Sequence, residues 1–344
     1  MHSFKRVLKT LLAFFLMLAV LSLALAEFYL NTEYCYYQDS KERNDLAGTL
    51  DTLYCGASFA LRAFRPDRID PVLGTHGYNL SSSRMTMRGR YTLLERELQR
   101  NEIKTVVLEV SCDTMTRCTP EEGPEGELIL FTRLSIRNRV GYLLSAIPIS
   151  DYPTAYFDVV SKGLSGVISL CTGTVRLGNW QLTQGYFPYS EPDEWFDVDY
   201  SSLYHTSTLP TVYWDENLLW LDRIRDLCAE HGAELVLVNV PQSRSFNCKY
   251  DNLDVFDGWY RAYCAENGLR YFNFNLYRGI GTLLPDRGCF YDLYHLNNEG
   301  AERFSALYAE ILSRANAGED VGALFYDSYA AWEQDAGFGA LEGG

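Results

Sequence analysis

The sequence predicts an α/β fold, a three-layer α/β/α sandwich on a mainly parallel sheet with a helical and loop insertion. Three observations predict it. Short apolar runs recur without polar alternation, as strands buried on both faces require. Segments with apolar residues at helical spacing lie between them, in the rhythm of βαβ units. Gly232 and Gly268 follow two of these segments, where a left-handed residue ends a helix.

Taken in order, residues 51–55 form a short apolar strand running into Gly56-Ala57-Ser58, and residues 59–64 continue as one or two helical turns. Residues 65–71, with two prolines, are a link, and 77–80 a second short strand. A helix is expected over 86–100 (Tyr91, Leu93, Leu94 and Leu98 on one side), then an apolar strand over 104–110. The rhythm resumes with a helix over 216–231, a strand over 233–240, a helix over 253–267 and a strand over 269–274. Asn297 or Asn298 caps a last helix, whose residues 301–315 carry Phe304, Leu307, Tyr308, Ile311 and Leu312.

Residues 115–214 interrupt this rhythm with a turn-rich start and two apolar, helical pieces at 128–149 and 155–170. An insertion beside an active edge forms a lid or substrate wall. Its later part sets Trp180, Tyr186, Phe187, Tyr189 and Trp195 among amides and carboxylates. That mixture suits sugar faces, and equally a loop packed on its own domain. Trp180 and Tyr186 are substrate-binding candidates, as are Gln242 and Arg244 just past a strand end. Residues 33–315 are thus read as the main domain, and 316–344 as an acidic Gly/Ala-rich tail with a short helix near 326–332.

At the N-terminus, Lys5, Arg6 and Lys9 precede the apolar residues 11–26, extended by Phe28, Tyr29 and Leu30. Residues 1–32 are read as a membrane anchor with its positive flank inside, or as a cleaved signal peptide ending at Ala24-Leu25-Ala26. Either address exports the domain. Asp and Glu outnumber Lys and Arg by 45 to 30, a formal charge of −15, and no basic cluster lies beyond the first ten residues. Phosphate backbones demand clustered Lys and Arg, so nucleic acid is excluded as a partner. Nine cysteines cannot all pair within the chain; Cys112 and Cys118 are close enough to bridge, while Cys228 and Cys264 fall at apolar helix positions as buried thiols. No metal-ligand spacing and no nucleotide-binding glycine pattern occurs, and no cofactor is expected.

The candidate chemistry lies in two short segments. In Asp292-Leu293-Tyr294-His295 an acid and an imidazole stand three residues apart on a loop before a helix, so the acid can fix the tautomer and leave the other ring nitrogen as a base. Ser58, at a strand-to-helix turn, has its hydroxyl at the carboxyl edge of the sheet with backbone N–H groups beside it.

Together these segments resemble the SGNH (GDSL-like) hydrolase family over most of residues 50–315. The resemblance implies a flavodoxin-like sandwich with Ser58 as nucleophile, His295 as general base and Asp292 orienting it. Ala57 replaces the Asp of the family's Gly-Asp-Ser block. The family's second-block glycine falls in residues 78–83, where Ser82 or Ser83 would offer a backbone N–H to the oxyanion. The third-block Asn is replaced by Ser111-Cys112-Asp113, and Asn79 is the candidate substitute.

A membrane anchor, a lid-like insertion and an aromatic loop make the context similar to SGNH proteins of bacterial envelopes, which work beside a membrane-bound O-acyltransferase. The expected function is an extracytoplasmic serine acyl esterase or O-acyltransferase acting on a cell-envelope glycopolymer or a small ester. The alternative is a non-catalytic SGNH-like module that binds glycan or a partner.

Overall fold

The computed structural model describes residues 2–32, 36–117, 152–172, 183–188, 199–211 and 214–337. The chain divides into two compact units, residues 1–41 with 124–181 and residues 42–123 with 182–344. The second holds the α/β domain. Thr52–Cys55 (β1), Gly77–Asn79 (β2), Thr105–Glu109 (β3), Glu234–Asn239 (β4) and Arg270–Asn273 (β5) form one sheet in the order β2-β1-β3-β4-β5. Every pairing is parallel.

Successive side chains of a strand point to opposite faces, so a sheet of such strands needs two covering layers. Tyr54, Val107, Val236, Val238 and Phe272 share one core with Phe304, Leu307, Tyr308 and Ile311 of the Asn298–Asn316 helix. Leu53, Val106, Leu108, Leu235 and Leu237, of opposite parity, are equally buried. Helices Met87–Leu98 and Trp214–Glu230, packed on each other, bury Leu93, Leu94, Leu221, Ile224 and Leu227 and form the second layer. Each of these leucines contributes about 1.5–3 kcal/mol by leaving water. This strand order reverses direction between β1 and β3, and ligands of such sheets bind beyond the carboxyl ends at that point.

The helices begin where their caps dictate. Thr86 accepts the Gly89 N–H at 3.0 Å and Asn297 accepts the Gly300 N–H at 2.9 Å. Gly268, with φ of 64°, ends the helix Leu253–Asn267.

The short helix expected near 326–332 lies three residues later, at Tyr329–Asp335, and packs on the domain. It forms because Ser328 accepts the Ala331 N–H while Asp254 accepts those of Tyr329 and Ala330. Its Tyr329 and Trp332 are buried. The α/β domain therefore takes in this helix.

The insertion returns through a tight turn, Thr183–Tyr186, with Gln184 and Gly185 at positive φ. Asn79 of β2 donates its N–H to the Gln184 carbonyl at 2.8 Å, and the Glu42 carboxylate accepts the N–H groups of Gln184 and Gly185. A Cβ at Gly185 would lie 2.1 Å from the Asn79 carbonyl oxygen, so glycine is required.

In the first unit, the helix His2–Thr32 packs against Tyr152–Thr172, which covers the expected second helical piece of the insertion; the first piece lies outside the described residues. Gly163 lets the two backbones meet, since a Cβ there would lie 2.1 Å from the Leu25 carbonyl oxygen. Residues Lys5–Leu25 are long and apolar enough to cross a membrane, with mean hydropathy 2.4. Of the thiols, Cys228 and Cys264 are buried, which pushes both pKa values up to about 12. Cys118 lies outside the described residues.

Candidate active site

β1 ends at Cys55, and the chain turns through Gly56 and Ala57 into the helix Ser58–Ala63. The turn is too close-packed for any other residue at 56. A Cβ there would meet the Ala60 Cβ at 2.5 Å and the Glu109 Cβ at 2.6 Å. Gly56→Ala is therefore expected to cost about 1–3 kcal/mol in denaturant unfolding. Beneath the turn lies a fully buried ion pair, Arg90 with Glu109, at 3.1 Å. The Glu109 carboxylate also accepts the N–H of Ala57 at 3.2 Å and of Ser111 at 2.6 Å, and the Glu109 carbonyl accepts from Arg90. One carboxylate thus ties the turn after β1 to the end of β3, at the residue before Ser58.

The partner loop is built as tightly. Phe290 and Leu296 pair across it, and Tyr291 N–H donates to the His295 carbonyl at 2.8 Å. Within the loop, Asp292 Oδ1 accepts the N–H groups of Tyr294 at 2.8 Å and His295 at 2.7 Å. Ser243, four residues past β4 and capping the helix Arg244–Lys249, donates its hydroxyl to the Leu293 carbonyl at 2.8 Å.

These two pieces bring three side chains into line. His295 Nε2 lies 2.8 Å from Ser58 Oγ, and His295 Nδ1 lies 2.9 and 2.8 Å from the two Asp292 oxygens. The Phe59 ring stacks on the imidazole, with centroids 5.4 Å apart and planes at 24°. The His295 and Asp292 side chains are a quarter to a third exposed. Burial pushes the Asp292 carboxyl up, but the His295 hydrogen bond and charge, with the two backbone N–H groups, outweigh it and hold the pKa below the ordinary Asp value. An ionised Asp292 fixes the Nδ1–H tautomer and leaves Nε2 to accept the Ser58 proton.

The oxyanion candidates separate. Asn79 does not serve, because its fully buried amide donates to the carbonyls of Ala60 at 3.0 Å and Phe64 at 2.9 Å and accepts the Ser81 N–H at 3.1 Å. It closes the open end of the Ser58–Ala63 helix instead. The Ser82 N–H is bound to the Gly56 carbonyl at 3.2 Å, which also rules it out and sets the 82–85 turn beside the nucleophile. The backbone N–H groups of Ser58 and Ser83 have no acceptor among the described residues.

Of the substrate-binding candidates, Trp180 lies outside the described residues. Tyr186 is buried, with its hydroxyl 2.9 Å from Asn298 Oδ1 and Arg65 over its ring; burial pushes its pKa up to about 12. Arg244 lies over the Tyr200 ring and donates to the Ala336 carbonyl, while Gln242 follows β4. Both line a cavity whose walls include none of Ser58, Asp292 and His295. Among the described residues no group of three His, Cys, Asp or Glu side chains could hold a metal ion.

Phe59, Ser243, Arg90 and Glu109 were not singled out from the sequence. Glu109 carried a signal, since a carboxylate within an apolar strand needs a buried cationic partner.

No protein-family model and no curated protein matches the chain.

Proposed function

We propose that this protein is an SGNH-type serine acyl esterase or O-acyltransferase. The observation that supports it is the unbroken line from Asp292 through His295 to Ser58, with hydrogen bonds of 2.8–2.9 Å. Ser58 Oγ attacks an ester carbonyl and passes its proton to His295 Nε2. The oxyanion faces the Ser58 and Ser83 N–H groups. Collapse breaks the ester C–O bond, and the departing alkoxide takes the proton from His295, leaving an acyl-Ser58. A hydroxyl then gives its proton to His295, attacks the acyl carbon and restores Ser58. If that hydroxyl is water the enzyme is an esterase; if it belongs to a sugar it is an O-acyltransferase.

The segment Lys5–Leu25 is proposed as an anchor that holds the α/β domain outside the cytoplasmic membrane, with an envelope glycopolymer or small ester as substrate and a membrane-bound O-acyltransferase as partner.

A second reading, a non-catalytic module that binds glycan or a partner, draws support from the donors already occupied at Asn79 and Ser82. One experiment separates them. Full-length protein treated with a fluorophosphonate gains a single adduct by intact mass, and Ser58→Ala gains none. Folded wild-type protein that stays unlabelled would defeat the catalytic reading.

A further inference from the structure

We infer that the insertion helix Tyr152–Thr172 sinks one face into the outer leaflet of the bilayer, beside the anchor, so that lipid holds the insertion as well. This placement rests on the proposed anchor Lys5–Leu25 and not on the chemistry at Ser58.

The contact between the two helices sets the depth. Ser22 and Leu25 are half-buried, whereas the other described residues of 5–25 are exposed. The insertion helix therefore meets the anchor at the end opposite Lys5, Arg6 and Lys9, with Gly163, near its middle, against the Leu25 carbonyl. On the same side as Gly163, Val160, Gly166 and Val167 are half-buried. Small residues let helix backbones approach, and within a bilayer such packing takes over from the hydrophobic effect in holding helices together. With the positive flank on the cytoplasmic side, Leu25 marks the outer boundary of the hydrocarbon, and the middle of the insertion helix lies level with it.

Another side of this helix is apolar and open. Phe157, Leu164 and Ile168 are 72%, 49% and 54% exposed. Their spacings of seven and four place them on one face. The two charged positions of the helix, 158 and 162, fall off that face by the same spacing. Ser165 donates its hydroxyl to the Ser161 carbonyl at 3.0 Å, and Thr172 donates to that of Ile168 at 3.0 Å. The anchor holds hydroxyls in the same way, Thr10 donating to the Arg6 carbonyl at 3.1 Å and Ser22 to that of Ala19 at 3.0 Å. A hydroxyl bonded to its own helix carries no unmet donor into hydrocarbon, where water is absent.

Lipid is the occupant this chemistry favours. An interfacial helix free in solution relies on Lys and Arg to bring it to a membrane, and this face has neither. Here the anchor already holds the helix at the surface, and the effective concentration that results replaces electrostatic recruitment.

The test uses wild-type full-length protein in phosphatidylcholine vesicles that contain a lipid with a diazirine in its acyl chain. After irradiation, adducts are mapped by peptide mass spectrometry. They are expected in residues 5–25 and in residues 152–172. The helix Trp214–Glu230 of the α/β domain, where Leu219 is 64% exposed, supplies the background for an exposed apolar side chain. Leu164→Asp/Ile168→Asp lowers the adducts in 152–172 on the order of tenfold and leaves those in 5–25 unchanged, because an ionised side chain is excluded from hydrocarbon. If that variant fails to fold by circular dichroism, the wild-type map decides.

Adducts in 5–25 with only background in 152–172 would overturn the inference and leave the anchor standing. Adducts in neither segment would overturn both. Adducts in 152–172 that persist in the folded double variant would show that another face meets the lipid, and crosslinks between copies through 152–172 in place of lipid adducts would assign the face to a second copy; either result overturns the inference.

Discussion

On the proposed mechanism, His295→Ala is expected to lower the rate of Ser58 acylation by an activated ester or fluorophosphonate on the order of 10⁵- to 10⁶-fold, and Asp292→Asn about 10⁴-fold, the losses seen in serine triads. The ordering follows from the geometry. Without the imidazole no group takes the Ser58 proton, because Nε2 is the ring atom at 2.8 Å. With Asn at 292 the ring is still held, but the amide can donate to Nδ1, which favours the wrong tautomer. Stopped-flow acylation of both variants, beside wild type, measures this; near-equal rates in all three would remove His295 from the mechanism. The same substitution has a stability signature. Since the folded Asp292 pKa is depressed, its ionised form contributes stability that is fully present above the unfolded value. That contribution is lost as the pH falls through the lower folded value. Asp292→Asn therefore flattens this part of the acid unfolding profile.

Glu109→Ala lowers the unfolding free energy by about 3–5 kcal/mol, because it strands a fully buried Arg90 charge. It also releases the Ala57 and Ser111 N–H groups, so the turn that presents Ser58 loosens and labelling slows beyond what the fraction folded explains. The double variant Arg90→Met/Glu109→Leu recovers most of the stability, since a buried pair replaced by apolar groups of similar volume is often neutral. It does not recover labelling, because nothing then holds Ala57. Urea unfolding with labelling at matched folded fraction measures both. Equal labelling in the double variant and wild type would mean that the carboxylate acts on the fold alone.

Local signals carried the reading of the fold furthest. The expected strands and helices of the α/β domain lie within a few residues of their bounds because each is set by its own apolar spacing and caps, such as Thr86 and Gly268. Residues 65–71, expected as a link, belong instead to a helix, Pro66–Leu73, with Arg65 as its N-cap; it accepts Pro66 in its first turn and ends at Gly74 with φ of 69°. The pairing within Asp292–His295 is likewise local. What the sequence hid was set by contacts distant along the chain. Asn79 has the chemistry of an oxyanion donor, yet its partners are the carbonyls of Ala60 and Phe64, visible only once β2 lies beside β1. Arg90 reads as a surface charge on an amphipathic helix until β3 brings Glu109 to it. The C-terminal helix depends on Asp254, more than seventy residues away. Gln242, Asn247 and Trp332 share a cavity across a still longer separation.

The turn at Gln184 and Gly185 bears on how this protein survives at high concentration. β2 stands at the border of the sheet, where a row of unpaired amide and carbonyl groups would invite a strand from another molecule. The Asn79 N–H is instead taken by Gln184, whose side-chain amide also donates to the Gly77 carbonyl at 3.1 Å. The returning chain thereby seals that border against amyloid-like growth. Shortening the insertion for crystallisation or engineering should stop before residue 183, or the exposed rim becomes a template for aggregation.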